Sequence, residues 1–257
     1  MIPANNTIPY TARPVATGSL IALCVAAFAY QLMLPQAAQE AFFTHYALVP
    51  ARFTDGGWSL SHGLARWDPT PFVTSMFLHG GVLHILSNLW TLWVFGPALE
   101  DRLGPRRFLA LYFVSGLAAG LVHVLFNFSS AVPTIGASGA IAGVIAAYAR
   151  RFPYAWVNIL QPIVIVPVFF MMPALLFAGF WFASQVMQAA GSLALPSGAG
   201  GIAWWAHIGG FVAGWMLVKR LAPAANTAEE ANAATQSALW PWKVWTRWMT
   251  WWWRRWR

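Results

Sequence analysis

The chain alternates long apolar runs with short polar interruptions. The runs carry neither the period of two of a half-buried strand nor the narrow apolar stripe of a surface helix. Six of them predict membrane-spanning helices: residues 15–34, 80–98, 107–126, 137–149, 172–188 and 203–218. Residues 35–78 read as a long aromatic-rich loop that lies on or dips into the interface. Residues 156–170, interrupted by Pro162 and Pro167, read as a partly extended interfacial segment. Residues 189–201, rich in Gly and Ser, are expected to form a mobile loop. The expected architecture is all-α, a polytopic six-helix membrane bundle over 15–221. A polar lead at 1–14 precedes it, and a linker and a Trp/Arg-rich tail at 222–257 follow.

Composition agrees. Hydrophobic residues make up 59% of the chain and charged residues 9%, with a mean hydropathy of +0.56; a soluble domain carries far more charge. The net charge of +8 gathers at the ends of apolar runs and in the tail, where anionic lipid explains it without nucleic acid. The tail from Trp240 to Arg257 interleaves eight tryptophans with five basic residues and fits an interfacial anchor. A single cysteine, Cys24, excludes an intramolecular disulfide and a cysteine-based metal site. Residues 17–34 read as a span rather than a signal peptide.

Arginine-rich connections follow the second, fourth and sixth spans, whereas the turns after the third and fifth carry no Lys or Arg. The positive-inside rule then puts both termini in the cytoplasm. We expect a multi-pass protein of a bacterial inner (plasma) membrane, with an oligomeric state the sequence leaves open.

Polar residues inside the spans are few, and they share a level. Twelve residues separate Ser138 from Arg150, His207 from Lys219 and Asn88 from Glu100. At 1.5 Å per helical residue, each lies roughly 18 Å from the charged boundary and about 12 Å below the opposite surface. His84 lies one turn above Asn88 on the same face. Groups of this kind within a bilayer face a protein interior or a water-filled cavity. Gly139 and Gly143 on the fourth span, and Gly210 and Gly214 on the sixth, form two G-x-x-x-G stripes that allow close helix approach. Their phase is expected to bring the Ser138 hydroxyl to the His207 imidazole.

Ser138 opens an apolar helix after Pro133 and Gly136, where unpaired N–H groups and the helix dipole favour a negative oxygen. Such a position suits a capping serine as well as a nucleophile. With His207 at matching depth, a serine and its general base are the expectation. All seven carboxylates (Glu40, Asp55, Asp68, Glu100, Asp101, Glu229 and Glu230) fall in loops, helix ends or the tail. An acidic third member is therefore missing, and a two-aspartate protease is excluded. No His-Glu-x-x-His occurs, so we expect no metal and no cofactor.

Four strings carry a family resemblance: Phe77-Leu-His-Gly-Gly-Val-Leu-His84-Ile-Leu-Ser-Asn88, Gly96-Pro-Ala-Leu-Glu100-Asp-Arg-Leu-Gly104, Gly136-Ala-Ser138-Gly139 and Ala206-His207-Ile-Gly-Gly210-Phe-Val-Ala-Gly214. In this order, from about residue 70 to 218, the chain resembles the rhomboid intramembrane serine proteases. The resemblance implies a six-helix fold whose water-filled cavity opens to the outside. It implies Ser138 as nucleophile, His207 as general base and acid, and His84, Asn88 and the Ser138 N–H as oxyanion donors. Glu100 and Gly104 match a structural motif between spans two and three. Implied substrates are single-span membrane proteins within the lipid bilayer. Some members place an aromatic residue four positions after the nucleophile, stacked on the base; here that residue is Ala142, so another group must hold His207. The first loop has Arg66-Trp67 where many members have Trp-Arg. The alternative is a catalytically inactive rhomboid-like protein that binds membrane helices. A transporter or channel would call for buried carboxylates or internal repeats, and neither is found.

Overall fold

The computed structural model describes residues 1–163, 166–192 and 203–222. Most of the loop expected at 189–201, and the tail with all but the first residue of its linker, lie outside the described residues.

The lead at 1–14 contains a strand. Ile2–Asn6 forms strand β1, which pairs antiparallel with a later strand and runs beside a long helix, where the Trp90 indole donates to the Pro3 carbonyl at 2.6 Å. Helix α1 follows at Val15–Met33. The segment expected as one long loop is mostly short helices: α2 (Gln36–Tyr46), α3 (Pro50–Thr54), α4 (Gly56–Ser61), α5 (Thr70–Thr74) and a 3₁₀ turn at Ser75–Phe77. Pro50 opens α3 and Pro71 is the second residue of α5, both within the first turn, where a missing N–H costs nothing.

The bundle continues with α6 (Val82–Leu103), α7 (Pro105–Phe126) and α8 (Ser138–Arg151). The 156–170 segment is a β-hairpin, β2 (Trp156–Ile163) and β3 (Val166–Pro173), completing a three-stranded sheet in the order β1-β2-β3. Helices α9 (Ala174–Ser192) and α10 (Trp204–Leu221) close the fold. Among the described residues, α1, α6, α7 and α9 are long and apolar enough to cross a membrane. They expose large apolar side chains such as Leu32, Leu83, Leu125 and Met187, as lipid-facing helices do. The protein is an integral, multi-pass membrane protein.

Helix α8 has 14 residues and lies in the centre, with every residue from Gly139 to Ala149 buried. It packs chiefly on α10 and α7. The glycines explain how closely. A Cβ at Gly210 would fall on the Gly139 carbonyl oxygen, and one at Gly214 on the Gly143 backbone. A Cβ at Gly143 would run into the Ser115 side chain of α7. The three helices approach to a distance that admits only hydrogen at these positions.

Glu100 ties α6 to the start of α1. Its carboxylate accepts from the Ala16 and Thr17 N–H groups at 2.8 Å each and from the Thr17 hydroxyl at 2.7 Å. A buried anion thereby satisfies a helix N-terminus, where the dipole favours negative charge. The turn that follows needs φ +76° at Gly104 before Pro105 opens α7.

Candidate active site

Ser138 is the first residue of α8, and Ala137 before it supplies no side-chain cap. The first N–H groups of the helix are therefore not engaged by a capping side chain. The Ser138 hydroxyl faces across to α10, where its Oγ lies 2.8 Å from His207 Nε2. The contact follows from the glycine-lined crossing of α8 and α10, because both residues sit at the same end of that seam.

His207 is 8% exposed and Ser138 half-buried. The second ring nitrogen, Nδ1, lies 2.7 Å from Oε1 of Gln185 on α9. An amide oxygen only accepts, so Nδ1 carries the proton and Nε2 presents a lone pair to the serine O–H. None of the described carboxylates is hydrogen-bonded to His207. The aromatic neighbours of its ring are Trp181, at 5.7 Å between centroids, and Trp204, at 6.0 Å. Trp181 therefore stands beside the base where Ala142 of α8 offers no ring. Neither Gln185 nor Trp181 was singled out from the sequence. A glutamine inside an apolar span is a signal, since buried amides in a bilayer need partners; Gln188 on the same helix blurs it.

His84 and Asn88 lie one turn apart on α6. His84 is half-buried, and its Nδ1 accepts from the Gly80 N–H at 3.3 Å. Its ring occupies space that opens at Gly136: a Cβ there would come within 2.8 Å of His84 Nε2 and 3.8 Å of Ser138 Oγ. The imidazole is thus a neighbour of the serine. Asn88 is buried and donates through Nδ2 to the His84 carbonyl at 2.9 Å. One of its two amide hydrogens is used within the helix.

The loop before Ser138 is anchored on three sides. Thr134 exchanges backbone hydrogen bonds with Leu48 at 2.9 and 3.0 Å, and its Oγ1 lies 2.7 Å from His123 Nε2. The Gly136 N–H donates to the Ser75 carbonyl at 2.8 Å. Leu48 in turn belongs to a segment locked by Arg52, whose guanidinium is buried. Arg52 donates to the carbonyls of His45 at 2.9 Å and Ala65 at 3.1 Å and to Asp68 at 2.9 Å. Hydrogen bonds from Thr70, and then the Arg52 charge, hold the Asp68 carboxyl below the usual carboxylate range. A chain of contacts from Arg52 to Gly136 thus fixes the approach to the nucleophile. Among the described residues no group of three His, Cys, Asp or Glu could hold a metal ion.

The family model for the Rhomboid domain matches residues 66–223, more than half of the chain. The chain belongs to the rhomboid family. Its relatives include presenilin-associated rhomboid-like protein A, mitochondrial, of Danio rerio, 36% identical over 37% of this chain and 25% of that protein. RHOMBOID-like protein 5 of Arabidopsis thaliana is 35% identical over 35% of this chain and 28% of its own length. The human presenilin-associated rhomboid-like protein, mitochondrial, is 31% identical over 33% of this chain and 23% of its own. The similarity thus spans about a quarter of the length of these rhomboid relatives. Two of the three names place those proteins in mitochondria, which differs from the bacterial membrane expected for this rhomboid chain from its sequence.

Proposed function

We propose that this protein is an intramembrane serine endopeptidase. The observation that carries the reading is the 2.8 Å contact between Ser138 Oγ and His207 Nε2, made by a base whose other nitrogen is already committed. A serine hydroxyl is a weak nucleophile until an adjacent base removes its proton, and this arrangement meets that need. In the proposed reaction Ser138 Oγ attacks a backbone carbonyl and His207 Nε2 takes the proton. The oxyanion is met by the Ser138 N–H at the uncapped helix start, by His84 beside Gly136 and by Asn88. His207 returns its proton to the leaving amine. A water then gives one proton to His207 Nε2 and attacks the acyl carbonyl; the Ser138 Oγ–acyl bond breaks, His207 returns the proton to Oγ and the acid is released.

Gly139, Gly143, Gly210 and Gly214 serve this chemistry by holding α8 on α10, and Glu100 with Gly104 holds the neighbouring helices in order. The substrates are membrane proteins with a single span, cut near the end of the bilayer at which Ser138 lies. On the charge pattern that end is the outer one, and both termini are cytoplasmic.

The test is cleavage of a model single-span substrate co-reconstituted in liposomes. The wild type cuts the substrate within its apolar segment, and Ser138→Ala does not. Binding of the substrate without any cleavage would favour the helix-binding alternative.

A further inference from the structure

We propose that Gln185 is the positioning residue for His207, taking the place that an acidic third member holds in other serine hydrolases and fastening the base to α9. The inference rests on the nucleophile and base assigned above.

The geometry is specific. Gln185 is 5% exposed, and its Oε1 lies 2.7 Å from His207 Nδ1. The amide has its orientation set from the other side. Gln185 Nε2 donates to the Trp181 carbonyl at 3.2 Å and to Ser184 Oγ at 2.9 Å, while the Ser184 hydroxyl donates to the same Trp181 carbonyl at 2.6 Å. With its nitrogen committed to two acceptors, the amide turns its oxygen to the imidazole. The oxygen in turn requires the proton on Nδ1. A base held this way offers Nε2 to Ser138 in every molecule, rather than dividing between two tautomers.

An amide suits this depth. It accepts the Nδ1–H bond as a carboxylate does, and it brings no charge into the bilayer. Trp181, one turn before Gln185 on the same helix, lies against the imidazole. One face of α9 therefore supplies both the acceptor and the neighbouring ring. The titratable groups that act electrostatically on His207 are His84 of α6 and His123 of α7; the hydrogen-bond partner of Nδ1 is Gln185. The base is thus oriented by a helix other than those carrying Ser138 and His207. Moving α9 away from α10 would release it.

The experiment compares the wild type with Gln185→Met and Gln185→Glu, purified and reconstituted in liposomes. Gln185→Met keeps the length and removes the amide acceptor; Gln185→Glu keeps an oxygen at the same place. Three readouts are taken: the rate at which Ser138 is labelled by a fluorophosphonate, kcat and KM on a model single-span substrate, and the thermal unfolding midpoint. Gln185→Met is expected to lower the labelling rate and kcat by roughly tenfold to a hundredfold, a fraction of what general base catalysis supplies. KM and the unfolding midpoint should stay near those of the wild type. Gln185→Glu is expected to recover at least about tenfold of that loss by restoring an acceptor for Nδ1–H. A folded Gln185→Met protein labelled at the wild-type rate overturns the proposal. So does an equal loss in both variants that follows a fall in the unfolding midpoint, since that pattern belongs to packing. A wild type that is not labelled overturns the serine protease reading itself, and that failure is visible before either variant is compared.

Discussion

Gly136 lies against the imidazole of His84, two residues before Ser138. A Cβ there would come within 2.8 Å of His84 Nε2, and the backbone holds φ at +121°, outside the range L side chains prefer. Gly136→Ala therefore meets a clash and a strained backbone at once. The expected result is a loss of about 1–3 kcal/mol in stability and a fall of tenfold or more in the reactivity of Ser138. Unfolding midpoints and fluorophosphonate labelling rates measure the two effects.

The crossing of α8 and α10 gives a second prediction. At Gly210 a side chain would meet the Gly139 backbone, which cannot rotate out of the way, whereas a Cβ at Gly18 on α1 meets nothing within 4 Å. Gly210→Ala is expected to destabilise by about 1–3 kcal/mol, the range for overpacking, and to separate Ser138 from His207. Gly18→Ala is expected to leave stability unchanged or to raise it by up to about 1 kcal/mol through helix propensity. Equal effects from the two substitutions would contradict the close approach.

The Asp68 carboxylate predicts a pH dependence. Its folded value lies below its unfolded one, so the stability it contributes is present above about pH 4, the usual range of a free carboxyl. That contribution is lost as the pH falls through the lower folded value. The wild type should lose more thermal stability between pH 7 and pH 3 than Asp68→Asn, which has no carboxyl to protonate. Asp68 is partly exposed, so the difference should be small and should shrink in high salt.

Much of this arrangement was legible in the residues, and the reason is depth. In a bilayer the charged ends of helices act as a ruler, so Ser138, His207 and Asn88 could be set at one level by counting. The glycine stripes then supplied the phase that brings two of those helices together. Gln185 could not be reached that way. Gln185 follows Pro162, Pro167 and Pro173 and precedes a stretch without Lys, Arg, Asp or Glu, so α9 has no charged boundary from which to count, and which of its residues meets His207 depends on how α9 packs on α10. The strand at Ile2–Asn6 was hidden for a different reason. It pairs with Val157–Leu160 far along the chain, and five residues carry no periodicity strong enough to announce an element. Arg52 read as a loop charge because burial of a guanidinium depends on carbonyls at His45 and Ala65, which sequence alone does not bring together. Counting apolar runs also gave six spans. Four helices have the length and composition to cross unaided, while α8 and α10 are shorter or end in charge and lie against their neighbours.

The central claim is that His207 activates Ser138. Its most direct test is labelling of the purified protein, in liposomes, by a fluorescent fluorophosphonate. The account predicts covalent labelling of the wild type, none of Ser138→Ala, and a rate lowered by about a hundredfold or more in His207→Ala. Labelling that survives Ser138→Ala, or a His207→Ala protein labelled as fast as the wild type, would contradict it.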